Sequence, residues 1–300
     1  MSKTSFPYLL NPGHRGCAGC GQLLAARLVI DTMGKDTIIA NATGCLEVTT
    51  SPYPETSWKV PWIHSLFENA AAIGSGISAA LEMKGDKKTK ILVQGGDGST
   101  FDIGYGLISG MWERNEDILY VCYDNEAYMN TGVQASGATP YAAHTTTTPD
   151  GASPLTGFGS DLHKKNMPAL AMAQGLAYVA QTTIGYPNDV ITKIKKAMTF
   201  KGPKYVQILC PCVPGWGYDS KLTIKLGQLA QKTGIYPIYE VENGKITKAM
   251  KFPETPPKVE EYLKPQKRYK HLFKDPQDAP KIIDIQKLAD GNIENFKKYY

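Results

Sequence analysis

The sequence predicts an α/β protein with a doubly wound, mostly parallel sheet. Through about residue 210, short segments rich in β-branched residues alternate with longer segments whose apolar residues recur at helical spacing. Such alternation is typical of βαβ units, which place helices on both faces of a parallel sheet. The pattern changes after about residue 228, so we predict one domain over residues 1–228 and a C-terminal region over residues 229–300.

Five strands and five helices account for the first domain. We predict strands where apolar, β-branched residues cluster, at residues 37–41, 90–94, 118–123, 182–184 and 205–209. We predict helices where apolar residues recur every three or four positions, at residues 22–33, 66–83, 101–112, 168–180 and 188–200. Pro168 suits the first turn of its helix, and Asn188 suits an N-cap. Cys122, inside an apolar strand, is expected to be a buried core thiol.

The C-terminal region combines a hairpin with a charged, proline-rich stretch. Residues 238–247 alternate around Asn243-Gly244, a pair that favours a type I′ turn. Residues 252–280 are rich in proline and charge, so we expect an extended arm that contacts a partner. Residues 201–300 carry 18 basic and 11 acidic side chains, against 15 and 17 in residues 1–200. This excess fits either an acidic protein partner or a solvated, lysine-rich surface.

The composition excludes several classes of protein. Hydrophobic residues make up 42% of the 300 residues and charged residues 20%, which is typical of a globular protein rather than a disordered one. The net charge of +5 is too weak to indicate binding to nucleic acid. No apolar run reaches the roughly 20 residues that cross a bilayer, and the first residues carry no export signal. We therefore expect a cytoplasmic protein with neither a membrane nor a nucleic-acid partner.

The predicted topology indicates where a ligand binds. In doubly wound sheets, ligands bind beyond the carboxyl ends of the strands. In this chain the relevant strands are predicted to end at Asn41, Gln94, Tyr123 and Leu209, so the segments that follow these residues are where a ligand is expected. The segment after Tyr123 runs to about residue 165 without a predicted helix or strand, which is too long for a simple connection. We expect this long loop to have a function.

Four cysteines are placed to bind a metal centre. Cys17 and Cys20 are separated by two residues, a spacing that lets two thiolates reach one metal. Cys45 follows the first predicted strand and Cys212 follows the last, so all four can converge on one edge of the sheet. The spacing alone permits a structural zinc, a [4Fe–4S] cluster or a redox dithiol.

A second site is indicated by Gly96-Asp97-Gly98, between a buried strand and a helix. Glycines let the backbone approach phosphate oxygens, and a carboxylate there can hold a hard cation that bridges phosphates. Taken alone, this tripeptide is most simply an ordinary turn. About 26 residues later, the next strand ends in a segment that contains Asn125, whose amide oxygen is a suitable ligand for Mg²⁺. This combination resembles the signature of thiamine-diphosphate-binding proteins.

Taken together, the motifs resemble the β subunit of the 2-oxoacid:ferredoxin oxidoreductases of the pyruvate synthase type. The resemblance covers roughly residues 10–220. Its motifs are H-R-G-C-A-G-C-G at 14–21, T-G-C at 43–45, W-K-V-P-W-I-H-S-L-F-E-N-A-A-A at 58–72, G-D-G-S-T-F-D-I-G-Y-G at 96–106, D-N-E-A-Y-M-N-T-G at 124–132 and P-C-V-P-G-W at 211–216.

The resemblance implies site residues. The ligands of the [4Fe–4S] cluster would be Cys17, Cys20, Cys45 and Cys212, with Cys210 as a spare thiol. The ligands of Mg²⁺ would be Asp97, Asn125 and the main-chain carbonyl of Ala127. The residues around thiamine diphosphate would be Gly44, Gly96, Asp97, Gly98, Asn130 and Thr131. His64 and Glu68 either line the substrate pocket or form a hydrogen-bonded pair at a subunit interface.

The resemblance also implies an activity and partners. The activity would be thiamine-dependent oxidative decarboxylation of a 2-oxoacid, with one-electron transfer to the cluster and acyl transfer to coenzyme A. Pyruvate is the favoured substrate, and branched-chain or aryl 2-oxoacids or oxalate are alternatives. An α subunit would supply the second thiamine domain, further subunits would carry ferredoxin-like clusters, and ferredoxin would accept electrons. The competing hypotheses are a non-redox thiamine enzyme and a binding module, each with a structural Zn(Cys)₄ site.

Overall fold

The computed structural model describes residues 8–52, 54–149, 160, 162–274 and 279–300, and within these ranges a single eight-stranded sheet organises the fold. The strand order is β2-β1-β3-β4-β6-β5-β7-β8. The strands are β1 (Thr37–Asn41), β2 (Trp62–His64), β3 (Lys90–Gly96), β4 (Leu119–Asp124), β5 (Tyr178–Thr183), β6 (Lys204–Leu209), β7 (Tyr239–Glu242) and β8 (Lys245–Ala249). The six strands from β2 to β5 in this order run parallel, and β7 and β8 are antiparallel to their neighbours. The predicted mostly parallel sheet is confirmed.

Helices cover both faces of the sheet. They are α1 (Gly21–Met33), α2 (Cys45–Thr50), α3 (Ala70–Met83), α4 (Tyr105–Glu113), α5 (Met167–Ala173), α6 (Pro187–Ala197), α7 (Val213–Trp216), α8 (Thr223–Lys232), α9 (Val259–Leu263) and α10 (Ala279–Phe296). Helices α1 and α6 pack against one face of the sheet and form one hydrophobic core. Helices α3, α4 and α5 pack against the opposite face and form a second core. Successive residues of β4 alternate between them, since Val121 lies in the first core and Cys122 in the second. Cys122 is fully buried, as predicted.

Several element boundaries differ from the predicted ones, among them that of β5, which spans Tyr178–Thr183 rather than residues 182–184. The predicted helix over residues 66–83 begins only at Ala70, and a six-residue π-helix, Gly98–Ile103, precedes α4. The predicted helix over residues 168–180 ends at Ala173, because Gly175 follows with a φ of 76° that a continuing helix does not allow. The β-branched residues beyond it join β5 instead. In α6, Pro187 occupies the first turn and Tyr186 precedes it, so Asn188 is not the cap.

The C-terminal region is more folded than predicted. The hairpin of β7 and β8 turns at Asn243 and Gly244, whose φ angles of 49° and 78° confirm the type I′ turn. The prediction of an extended arm over residues 252–280 is wrong for the described residues, since α9 and a 3₁₀ helix (Lys267–Phe273) lie there. Val259, Tyr262 and Leu263 are spaced for one helical face and pack with residues of α7, α8 and α10 in a third core.

The division of the chain at residue 228 stays a prediction. Helix α8 crosses that position, and β7 pairs with β5 in the same sheet. Within the described residues, no helix combines the length and the apolar character that crossing a membrane requires.

Candidate functional site

The carboxyl ends of four parallel strands meet at one edge of the sheet. Asn41 of β1 pairs in register with Gln94 of β3, and Asp124 of β4 pairs with Leu209 of β6. The segments that follow these strands therefore emerge side by side, as parallel strands with helical crossovers require. Two adjoining cavities open between them.

The first cavity, of about 110 Å³, is here called the glycine cavity. Its lining consists of residues 41–46, 95–99 and 127–131, with Gln22, Phe67 and Asn125. Gly95 and Gly98 cannot carry a side chain without displacement, because a Cβ on Gly98 would lie 2.3 Å from the Tyr128 ring and one on Gly95 would lie 2.3 Å from Ser99 Oγ. Gly44 lies opposite with a φ of 154°, a value that favours glycine.

Three oxygen donors converge at the floor of the glycine cavity. One terminal atom of the Asn125 side-chain amide lies 2.8 Å from Asp97 Oδ1 and 2.9 Å from the Ala127 carbonyl oxygen. With the amide nitrogen at this position, Asn125 donates hydrogen bonds to both oxygens. With the amide oxygen there, it faces the Asp97 and Ala127 oxygens at spacings close to the edge of an octahedron around Mg²⁺, about 3 Å for ligands at about 2.1 Å. The predicted donor set therefore fits a hard divalent cation.

The electrostatics of this floor also favour a cation. Asp97 is buried, and burial together with the negative charge of Asp124 raises its pKa to about 8. Burial raises the pKa of Asp124 to about 6, although the Lys164 ammonium opposes this rise. Asp124 Oδ1 is buried and has no hydrogen-bond partner in the described part of the chain. Two carboxyl groups in such surroundings are costly to ionise unless further positive charge binds beside them.

Asp97 is oriented by groups from the long loop after β4. Asn125 donates its backbone N–H to Asp97 Oδ1 at 3.2 Å, and the Ser136 hydroxyl donates to Asp97 Oδ2 at 2.5 Å. The predicted importance of this loop therefore has a structural basis. Ser136 is not among the residues predicted from the sequence, because it lies 39 residues from Asp97 and in no recognised motif.

The other predicted cofactor residues lie around the mouth of the glycine cavity. Asn130 and Thr131 line it and are exposed to solvent. The Thr131 hydroxyl donates to Gln134 Oε1 at 2.6 Å, which orders the loop just beyond the cavity. The structure thus brings Gly44, Gly96, Gly98, Asn130 and Thr131 to one cavity, and their role in cofactor binding stays a prediction.

The second cavity, of about 210 Å³, is here called the thiol cavity. Cys17, Cys20, Cys45 and Cys212 all line it, from the segment before α1 and the starts of α2 and α7. Burial, with the nearby thiols, raises the pKa of Cys45 and of Cys212 to about 12. In the described ranges, no three Cys, His, Asp or Glu side chains already surround a single metal position. These four cysteines instead line a shared space, which Cys210 also borders.

Cys210 differs from Cys212 although the two are close in sequence. Cys210 is fully buried in the core beneath α1, and its thiol donates to the Ile208 carbonyl oxygen at 3.2 Å. Cys212 lies two residues further on, half-buried, directly before α7. The packing favours Cys212 as the residue whose sulfur is available to a ligand.

The two cavities share some of their walls. Gln22, Cys45, Asn125, Met129 and Asn130 line both of them. A group bound in the glycine cavity would therefore be separated from a group in the thiol cavity by single side chains. This arrangement suits transfer of electrons between two bound cofactors.

His64 and Glu68 do not form a hydrogen-bonded pair with each other. His64 ends β2, where its Nε2 is 2.6 Å from Thr43 Oγ1, beside the glycine cavity. Glu68 lies half-buried before α3, and neither residue lines the described glycine or thiol cavity. Their role in substrate binding stays a prediction.

Comparisons with known proteins agree with this geometry. The family "Thiamine pyrophosphate enzyme, C-terminal TPP binding domain" matches residues 42–208, which include both strands beside Asp97 and Asn125. A solved 2-oxoglutarate:ferredoxin oxidoreductase from Magnetococcus marinus, with 2-oxoglutarate, coenzyme A and succinyl-CoA bound, has a TM-score of 0.57 at 23% identity, covering 93% of this chain and 94% of that chain. This likeness shows the fold.

Relatives are similar over nearly the full length. The pyruvate synthase subunit PorB of Methanosarcina barkeri is 51% identical over 298 residues, which is 99% of each chain. The ketoisovalerate oxidoreductase subunit VorB of Pyrococcus abyssi is 39% identical over 292 residues, covering 95% of this chain and 90% of that one. The chain therefore belongs to the β-subunit family of the 2-oxoacid:ferredoxin oxidoreductases, with the thiamine-diphosphate-binding fold.

Proposed function

We propose that this chain is the catalytic β subunit of a pyruvate:ferredoxin oxidoreductase. In this function the chain binds thiamine diphosphate, Mg²⁺ and a [4Fe–4S] cluster, and acts in oxidative decarboxylation of pyruvate with acyl transfer to coenzyme A. The observation that carries the proposal is the shared wall between the oxygen-lined glycine cavity and the thiol cavity. A thiamine enzyme that passes electrons to an iron–sulfur cluster needs the two sites close together, whereas a non-redox one does not.

Three oxygen donors support the assignment of the metal and the diphosphate. Asp97, Asn125 and the Ala127 carbonyl would hold Mg²⁺, which would supply positive charge to the diphosphate of the cofactor. Gly96 and Gly98 would let the backbone approach those phosphates, because neither carries a Cβ. When bound, thiamine diphosphate supplies the electron sink that makes decarboxylation of a 2-oxoacid possible.

The thiol cavity supports an iron–sulfur cluster more than a single zinc ion. Its volume of about 210 Å³ is several times the roughly 30 Å³ that one water molecule occupies in the liquid. Four cysteines around such a space suit a group of many atoms, while zinc draws four sulfurs to about 2.3 Å from one point. Cys17, Cys20, Cys45 and Cys212 are the proposed ligands.

Pyruvate is proposed as the substrate because of the relatives. The relative named as a pyruvate synthase subunit is 51% identical, and the relative named as a ketoisovalerate oxidoreductase subunit is 39% identical. The second similarity makes a branched-chain 2-oxoacid the second candidate substrate.

The size of the glycine cavity supports a partner subunit. At about 110 Å³ it is smaller than the roughly 300 Å³ typical of sites for ligands of this size, so this chain encloses only a portion of the cofactor. We propose that an α subunit completes the site and that further subunits with ferredoxin-like clusters pass electrons to ferredoxin. The same proposal places the assembled enzyme in the cytoplasm.

Anaerobic purification of the complete complex tests the proposal. Iron, sulfide and zinc would be assayed, and EPR spectra recorded before and after addition of pyruvate or 3-methyl-2-oxobutanoate. We expect about four iron and four sulfide for this chain and a pyruvate-dependent EPR signal. A response to the branched-chain acid alone would favour the second candidate. Zinc in place of iron would overturn the redox function.

A further inference from the structure

We propose that Arg268 and Lys164 are positioning residues that hold the Asn125 loop (residues 124–127) in its metal-binding conformation through Glu126. The inference rests on the proposed function, since it concerns the same Mg²⁺ site. None of these three residues belongs to the predicted site, and Arg268 lies outside the 42–208 region matched by the thiamine family. The C-terminal region of the chain would therefore shape a site formed by the first domain.

The backbone of the Asn125 loop is strained at its centre. Glu126 has a φ of 70°, in the left-handed region that residues with a Cβ rarely adopt. It stands between Asn125 and Ala127, two of the three proposed metal donors. The turn at Glu126 lets the Asn125 side chain and the Ala127 carbonyl face the same point. The metal site therefore depends on a conformation that Glu126 does not favour by itself.

One buried and one partly buried ion pair hold Glu126 in this conformation. Its carboxylate accepts a hydrogen bond at 2.9 Å from Lys164 Nζ and one at 2.7 Å from an Arg268 guanidinium nitrogen. Glu126 is 4% exposed, and the Arg268 side chain is 3% exposed. Lys164 also lies 2.5 Å from Asp124, so one ammonium links the first residue of the loop to its strained residue. Such pairs are costly to disrupt because each partner is left charged and buried.

Arg268 holds the Asn125 loop at a second point. Its guanidinium lies 3.8 Å from the centre of the Trp216 ring. The Trp216 indole N–H in turn donates to the Asn125 carbonyl oxygen at 2.8 Å. Trp216 ends α7, the helix that begins directly after Cys212. One arginine thus supports the loop at the strained residue directly and at the residue before it through Trp216, whose helix also borders the thiol cavity.

Two substitutions at one position separate backbone positioning from charge. Glu126→Gly and Glu126→Ala both remove the carboxylate and deprive Arg268 and Lys164 of the same partner, but only glycine tolerates the left-handed φ. We would purify the complete complexes and titrate them with Mn²⁺ in the presence of thiamine diphosphate, reading free Mn²⁺ by EPR. We expect Glu126→Ala to raise the dissociation constant of Mn²⁺ about tenfold more than Glu126→Gly, from the cost of a left-handed L-residue.

Substitutions of Arg268, which pairs with Glu126, complete the test. Arg268→Met is expected to weaken Mn²⁺ binding about tenfold or more, and Arg268→Lys, which keeps a charge, by less. Lys193→Met is the matched control. It breaks another buried pair, with Asp189 at 2.6 Å, and Lys193 lines neither the glycine nor the thiol cavity. It should lower the melting temperature and leave the Mn²⁺ dissociation constant unchanged.

The outcomes distinguish this inference from the proposed function. Unchanged Mn²⁺ binding in Glu126→Ala and Arg268→Met, despite lower melting temperatures, would show a merely structural network. Equal dissociation constants for the alanine and glycine variants would overturn the role of the strained backbone. If the unaltered complex binds no Mn²⁺ with thiamine diphosphate, the proposed metal site itself is wrong, and the inference fails with it.

Discussion

In the glycine cavity, the Asp97 carboxylate and the Ala127 carbonyl both lie within 2.9 Å of one Asn125 amide atom, whereas the four proposed cysteine ligands line a neighbouring cavity of about 210 Å³. The oxygen donors come from two adjacent strand ends and are buried. The cysteines come from three separate segments, and Cys17 is exposed. The sheet brings the oxygen donors close together, whereas the cysteines line a wider space that a bound group of several atoms would fill. The difference predicts how each site responds to substitution.

The largest expected effect follows from removing the central carboxylate of the glycine cavity. Asp97→Ala should weaken Mg²⁺-dependent binding of thiamine diphosphate by more than about a hundredfold, because the remaining donors are an amide and a carbonyl without charge. Cofactor content and iron content of the purified complex would both be measured. Iron should be retained, since Asp97 does not line the thiol cavity.

Asp86→Ala is the matched control, because it removes an aspartate whose carboxylate caps a turn near the surface and lines neither cavity. Normal thiamine content in Asp97→Ala would contradict the metal assignment. Loss of iron together with the cofactor would instead show that the two sites form as one unit.

A pair of serine substitutions tests which thiols are available in the second site. Cys212→Ser should lose the cluster, and Cys210→Ser should keep it, because Cys210, although it also borders the thiol cavity, is fully buried in the core beneath α1 and its thiol donates to the Ile208 carbonyl oxygen. Iron and sulfide assays on anaerobically purified complexes would decide. The two variants differ by two positions in the chain, so each serves as the control for the other. The reverse result would assign the ligand role to Cys210.

A smaller effect is expected from the hydroxyl that orients Asp97. Ser136→Ala removes the hydrogen bond to Asp97 Oδ2 and leaves all three metal donors in place. Loss of such a supporting group typically costs about tenfold or more in metal affinity. The dissociation constant of Mg²⁺ in the presence of thiamine diphosphate is the measurement, and Ser109→Ala, on α4 away from both cavities, is the control. An unchanged constant would mean that burial alone orients the carboxylate.

The sequence predicts the sheet and the local donors better than the contacts between distant segments. β-branched runs and the Asn243-Gly244 turn are local signals, and both elements are present in the structure. The motif residues around Asp97 and Asn125 meet because parallel strands align their ends. The contact of Arg268 with Glu126 joins residues 142 positions apart, and no local pattern encodes it. From the sequence alone, the segment around Arg268 is expected to be an extended arm, because its few apolar residues lie between charged ones.

The smallest expected effect concerns the wall between the two sites, where Gln22 lines both cavities and is only 5% exposed. Gln22→Glu would add a negative charge of nearly the same shape. An electron entering the proposed cluster then meets an additional repulsion, so the reduction potential should fall by some tens of millivolts, as expected for charges about 10 Å apart in a partly buried site. Redox titration followed by EPR measures this shift, and Gln22→Met is the neutral control of similar size. An equal change of reduction potential in both variants would indicate a change of packing. A change in Gln22→Glu alone would show that a charge at this wall acts electrostatically on the group bound in the thiol cavity.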